Sequence, residues 1–279
     1  MSYLDRWPAI RAGFEQVNKE FLELVDGVEP GRMATKDWTV ADTAAHVTAI
    51  AAMYSSLVRG EPIMAFPQLQ GPVKSTDVDS IHDFNALTLD IYTERRIPEI
   101  RERLSTDIDG ILKVTTQADP ARTVDWLGQA QVPIAGLFGH FINELQIHGR
   151  DIAQATGRPW NPRPQDASYF IEAFMVGMIQ NGYGQFVPPG GPPRERRIAV
   201  EFSSDYTTPV TFVLHRGLVT IEDPRPDDDV RIFFDPVTMN LMLFGRISRV
   251  RAVLSRRVRI SGPRPWLLPE FLRTVRTPR

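Results

Sequence analysis

A chain of 279 residues, 42% apolar and 24% charged, has the composition of a globular protein and room for one large or two ordinary domains. It contains no cysteine, which excludes disulfides, thiolate metal sites and a sulfur nucleophile carried by the protein. Any thiol chemistry must use a thiol brought in by a small molecule. The net charge of −2 conceals an asymmetry: residues 1–245 hold 22 Lys and Arg against 33 acids, whereas 246–279 hold ten arginines and the single acid Glu270. No run approaches the ~20 consecutive apolar residues of a membrane span. The first residues, from Met1 to Arg6, lack the basic-then-apolar pattern of an export signal. The expectation is a cytoplasmic protein with no membrane partner.

In chain order, Trp7, Ile10, Phe14, Val17, Phe21, Leu22 and Leu24 recur at helical spacing and predict a first helix over 5–28, ended by Glu29-Pro30-Gly31. A second helix opens at 37–42, with Thr39 as N-cap and Asp42 completing a capping-box pattern, and runs to Arg59-Gly60. Its His46, Ile50, Met53 and Leu57 share one face. Residues 62–79 read as a connection, and 81–104 as a third helix broken near Pro98. In the irregular stretch 105–129, Val114-Thr115-Thr116 reads as an extended piece. Pro133 stands in the first turn of a fourth helix that ends at Thr156-Gly157. Four helices with one long connection predict a four-helix bundle.

Residues 158–164 carry three prolines and form the clearest linker. Beyond it the pattern changes to a helix over 165–180, a Gly/Pro-rich loop over 182–193, and strands over 197–203, 210–215, 218–222 and 230–234. His215-Arg216-Gly217 is a short hairpin signal. Asp235 caps a helix that has Pro236 at its first position and ends at Leu243. A strand over 258–260 and a helix over 265–275 complete the chain. The fold class is α+β, divided into a helical unit, 1–160, and a sheet-containing unit, 161–279. No internal repeat, low-complexity tract or phosphate-binding glycine loop is present.

The fourth helix is the most informative. Leu137, Phe138, Phe141, Ile142, Leu145, Ile147 and Ile152 leave it little solvated face, which predicts burial. His140, Glu144 and His148 nevertheless fall four residues apart, on one stripe. Buried polar groups need partners, and a divalent metal satisfies two imidazoles and a carboxylate at once. Glu144 and His148 can share one ion from adjacent turns. His46, on the apolar side of another bundle helix, is the best third ligand. Three protein ligands leave an open position, as in catalytic sites. His140 lies ~12 Å below His148 along the axis and is a reserve. The competing reading makes each histidine a hydrogen-bonded core residue and pairs Glu144 with Arg150. Asp151 reads either as the acceptor for the second N–H of His148 or as a helix-end partner of Arg150 or Arg158.

The segment Trp38-Thr39-Val40-Ala41-Asp42-Thr43-Ala44-Ala45-His46-Val47 resembles the opening motif of the DinB-like family. Glu144-Leu145-Gln146-Ile147-His148-Gly149-Arg150-Asp151-Ile152 resembles the E-x-x-x-H-x-x-D signature of its mycothiol-dependent maleylpyruvate isomerase branch. Phe244-Gly245-Arg246 and Ile260-Ser261-Gly262 resemble the sterol-carrier-like domain that often follows. Residues 62–129 match no motif of the family. The resemblance implies a DinB-like four-helix bundle joined to a sterol-carrier-like α/β sandwich domain. It further implies a divalent metal, usually Zn²⁺, held by His46, Glu144 and His148, with the thiol mycothiol as cosubstrate. Arg246, which follows a glycine in a motif shared with the family, is nominated as the catalytic carboxylate-binding residue.

The activity expected is an S-transferase joining the small-molecule thiol to a small electrophilic metabolite. The alternative within the family is mycothiol-dependent cis–trans isomerisation of maleylpyruvate. The alternative from another class is a non-catalytic small-molecule or lipid-binding protein, with a deep apolar tunnel in the second unit. The arginine-rich tail reads first as a basic solvated face or an interdomain contact with the acidic N-terminal part, and otherwise as a means of steering an anionic substrate or binding nucleic acid. Aromatics for base stacking are missing between Arg246 and Arg264, which argues against a nucleic-acid partner. A monomer or homodimer is expected.

Overall fold

The computed structural model of this chain describes residues 3–77, 79–128, 130–183 and 195–275. A short 3₁₀ turn, Tyr3–Arg6, leads into α1 (Trp7–Val25). The next helix, α2 (Val40–Leu57), starts where the sequence places it. Thr39 accepts from the Asp42 N–H and Asp42 accepts from the Thr39 N–H, which is a complete capping box. A 3₁₀ turn, Pro67–Leu69, and a short α3 (Gln70–Ser75) interrupt the connection that follows.

The predicted third helix is in fact two, α4 (Ile81–Ile91) and α5 (Ile97–Val114). The break falls before Pro98, which occupies the first turn of α5 and does no harm there. Arg95 makes the break. Its guanidinium donates to the Leu89 and Tyr92 carbonyls at the end of α4, at 3.1 and 2.6 Å, and to Asp42 at 2.7 Å. Residues 114–116 are not extended. Helix α5 runs through Val114, and extended backbone appears only in the hairpin β1 (Thr123–Asp125) and β2 (Gln131–Pro133).

Helix α6 (Ile134–Thr156) closes the bundle, with Pro133 as its N-cap and Gly157 at its C-terminus. Helix α1 packs on α6, α6 on α2, α2 on α5 and α5 on α1, so the four form a ring around one core. Phe14 seals the α1–α6 seam, its ring centroid 4.3 Å from Phe138 and 5.5 Å from Phe141.

The linker folds back on α6. Trp160 donates its indole N–H to the Gln146 carbonyl at 3.0 Å, and its ring lies where a Cβ on residue 149 would have to go, so Gly149 permits the approach. A single helical rod follows: α7 (Pro164–Tyr169), a π turn over Phe170–Met175 and α8 (Val176–Gln180). The rod packs against α6 and meets the sheet through β5. The Gly/Pro-rich loop predicted over 182–193 lies, beyond Tyr183, outside the described residues.

The sheet is built from β3 (Ile198–Ser204), β4 (Thr207–His215), β5 (Leu218–Glu222), β6 (Val230–Phe234) and β7 (Val258–Ser261), in the order β5-β4-β3-β6-β7. Only β3 and β6 pair in parallel. Between β6 and β7 lie α9 (Pro236–Leu243), capped by Asp235 as expected, and a short α10 (Arg249–Leu254) that the sequence pattern did not reveal. The chain continues through a 3₁₀ turn, Pro265–Leu267, to α11 (Leu268–Thr274). The architecture is thus α+β, a helical bundle followed by a sheet-containing half. Among the described residues no helix is long and apolar enough to cross a membrane.

Candidate metal centre

The capping box fixes where α2 begins, and His46 follows two turns later on the face toward α6. On α6, Glu144 and His148 lie one turn apart. The structure brings these three side chains together. Nε2 of His46 and Nε2 of His148 stand 3.3 and 3.4 Å from the same oxygen of Glu144, Oε2. One donor atom from each residue fits within 4.8 Å of the others. All three are buried. Trp38 packs over both imidazoles, at 4.8 Å from His46 and 5.8 Å from His148.

The protonation states follow from these contacts. Burial holds the His46 imidazolium pKa below its ordinary value, against the pull of Glu144, so His46 is neutral with a lone pair to offer. For Glu144, burial would favour the protonated acid, but the hydrogen bonds of His148 and His46 outweigh it and keep the carboxyl well below the usual range. For His148, burial is outweighed by Asp151 and Glu144, which raise it. The donor set fits a divalent cation: two imidazole nitrogens and a carboxylate oxygen converge on one point with no Lys or Arg between them.

The two histidines are supported differently. Nδ1 of His148 lies 3.5 Å from Asp151 Oδ2. Arg246 grips Asp151 in turn with both arms of its guanidinium, Nη2 to Oδ2 at 2.6 Å and Nε to Oδ1 at 3.1 Å. Gly245, in the left-handed region at φ 70°, turns the chain after α9 so that Arg246 can reach. Asp151 therefore pairs with Arg246, not with Arg150 or Arg158. Arg158 is instead bound to the carbonyls of Leu24 and Asp26. In both rings, His46 and His148, Nδ1 is buried without a hydrogen bond among the described residues, but that of His148 faces the Asp151 carboxylate, whereas the His46 ring is held by packing against Trp38.

His140 stands beside this group rather than in it. Trp126 can only donate, and its indole N–H reaches the Tyr54 hydroxyl oxygen at 2.9 Å. The hydroxyl proton of Tyr54, which burial keeps in place, is then donated to His140 Nδ1 at 3.0 Å. The proton of His140 consequently sits on Nε2, 3.6 Å from Glu144 Oε1. One oxygen of Glu144 thus faces His140 and the other faces the pair of Nε2 atoms. Tyr54 follows His46 by two turns on the same stripe of α2, a signal the sequence reading passed over. Trp126 comes from the hairpin and carried no signal at all.

A cavity of about 650 Å³ opens over the three side chains, between the bundle, the rod and the loop of Arg246. Arg150 lines it as well, and among the described residues it makes no hydrogen bond or ion pair.

Comparison with known proteins agrees with this architecture. The family described as "Mycothiol maleylpyruvate isomerase N-terminal domain" matches residues 14–153, half of the chain. The chain belongs to that family. Among solved structures, it resembles the crystal structure of the mycothiol-dependent maleylpyruvate isomerase, with a TM-score of 0.50 at 12% identity over 94% of this chain and 95% of that one. A variant of that enzyme with one histidine replaced by alanine matches with the same values. At this identity the likeness speaks for the fold, and it extends over both halves. No curated protein matches the sequence.

Proposed function

We propose that the protein is a divalent-metal enzyme, with zinc as the metal, that joins mycothiol to a small electrophile. In this reading His46, Glu144 and His148 are the ligands. One observation carries it: two buried Nε2 atoms, from two different helices, are aimed at a single oxygen of a buried carboxylate. The family and the lack of any cysteine support a thiol supplied from outside.

When bound in such a site, a divalent cation supplies Lewis acidity that lowers the pKa of a thiol beside it. The chain does the rest. His46 and His148 offer lone pairs, and Glu144 contributes the negative charge. Asp151 orients His148 through Nδ1, as acceptors behind metal-bound imidazoles commonly do. Arg246 holds Asp151 and, in this reading, presents its remaining N–H groups to the cavity. Residues 1–160 then carry the reacting centre, and 161–279 form its far wall. Isomerisation of maleylpyruvate remains the second reading. It is favoured by the family description and needs the same thiol addition followed by rotation and elimination.

The test is elemental analysis of protein purified without added metal, followed by mass spectrometry of mycothiol adducts formed with a panel of electrophiles. Stoichiometric zinc and zinc-dependent adducts are expected. Protein that retains no divalent metal after zinc loading would sink the proposal.

A further inference from the structure

The cavity changes character along α6. Toward the C-terminal end of that helix it is lined by Lys36, Arg150, Asp151, Gln154 and Arg246. Toward the N-terminal end, past His140, the lining includes Met53, Leu57, Trp126, Phe170, Phe174 and Met178, with the uncharged polar Thr76 and Tyr183 beside them. His140 marks the turn between the two, with its ring 4.7 Å from Phe174 and 5.2 Å from Trp126. The rod delivers the aromatic wall: its π turn sets Phe170 and Phe174 side by side, centroids 5.4 Å apart, and π turns recur at functional sites. Among the described lining residues every Lys and Arg belongs to the polar end. Asp77 and His82 reach the cavity only from the exposed rim.

We infer that the second substrate is a neutral electrophile with an apolar aryl or alkyl body, seated at the aromatic end, and not a small dicarboxylate. This rests on reading the His46/Glu144/His148 group as the reacting centre. A dicarboxylate placed past His140 would lose its hydration and meet no cation, which is costly. An apolar body there gains by leaving water. The charged end, with the free guanidinium of Arg150, is left for the polar body of the thiol cosubstrate.

The probe pair is 4-phenylbut-3-en-2-one, an apolar enone, and maleate. Equilibrium dialysis is run without thiol, on chelator-treated and on zinc-loaded protein. The enone is expected to bind both forms, and maleate to leave it undisplaced. Phe174→Arg is expected to weaken enone binding about tenfold or more, while Phe174→Leu keeps it; thermal melts show which variants are folded. Displacement of the enone by maleate, or no enone binding to the unaltered protein, overturns the inference, and that arm needs no variant. Enone binding with no zinc- or thiol-dependent turnover leaves the seat standing and removes the transferase reading. Thiol consumption with maleate, and no enone binding, does the reverse.

Discussion

Two groups of buried carboxylates serve opposite ends in this molecule. In the sheet half, Asp228 and Asp229 are almost fully buried, yet fixed donors engage both. Asp229 accepts the Ala199 N–H at 2.8 Å and pairs with Arg264. Asp228 accepts the Thr211 hydroxyl at 2.6 Å and the Arg225 N–H at 2.9 Å. These donors are backbone groups or side chains of neighbouring elements, and they hold strands together; Oδ1 of Asp228 alone in the cluster has no hydrogen-bond partner among the described residues. In the bundle, Glu144 is also buried, at 8% exposure against 0% and 3%, but its neighbours are three imidazoles, and it borders a cavity. The burial is similar. The difference is whether the partners are permanent donors or groups that can turn their lone pairs toward a newcomer. A buried charge with only titratable company beside an opening is the mark of a site.

The sharpest way to break this contrast is His148→Ala. Zinc content is expected to fall to background, and thiol-transfer activity with it, because one helix then offers a single ligand. Elemental analysis and adduct formation measure the two losses, and a variant that keeps full zinc would remove the distinction. Asp151→Asn should be milder. It keeps the shape but weakens the acceptor behind His148 and the grip of Arg246, so zinc affinity is expected to drop about 10–100-fold in a competition titration with a chelator. Asp229→Ala tests the other cluster. It leaves the Ala199 N–H and Arg264 without their acceptor and should cost about 1–3 kcal/mol in urea unfolding. Its zinc content should equal that of the unaltered protein.

The same contrast explains what could be read from the sequence. The bundle was legible because its helices are announced locally, by 3.6-residue periodicity and by the Thr39/Asp42 box. The row His140, Glu144, His148 was legible for the same reason, and His46 followed from the apolar face it shares. What stayed hidden is held by partners far apart along the chain. Arg95 ends α4 while bonded to Asp42, 53 residues away. Arg246 and Asp151 are separated by 95 residues, so the arginine could be nominated from its motif but not matched to its carboxylate. The Trp126–Tyr54–His140 chain joins a hairpin to two helices. The π turn depends on how the rod packs against α6, and helical periodicity over 165–180 does not reveal it.

Asp42, in the first turn of α2, gives the smallest expected effect. It is partly exposed, completes the cap of α2 and pairs with Arg95 at 2.7 Å. Asp42→Ala should cost about 0.5–1 kcal/mol. It acts on the candidate metal centre only through the start of α2, and hence through His46. Its pH signature follows from its contacts. Burial would raise its carboxyl, but the Thr39 hydrogen bonds and Arg95 outweigh it and hold the carboxyl below the ordinary range. A depressed carboxyl stabilises the fold fully above its unfolded value of ~3.9, and that contribution is lost as pH falls through its own lower value. The melting-temperature gap between the unaltered protein and Asp42→Ala should therefore be constant near neutrality and narrow as pH falls below ~3.9. A gap that persists unchanged through that window would assign the effect to helix propensity rather than to the charge.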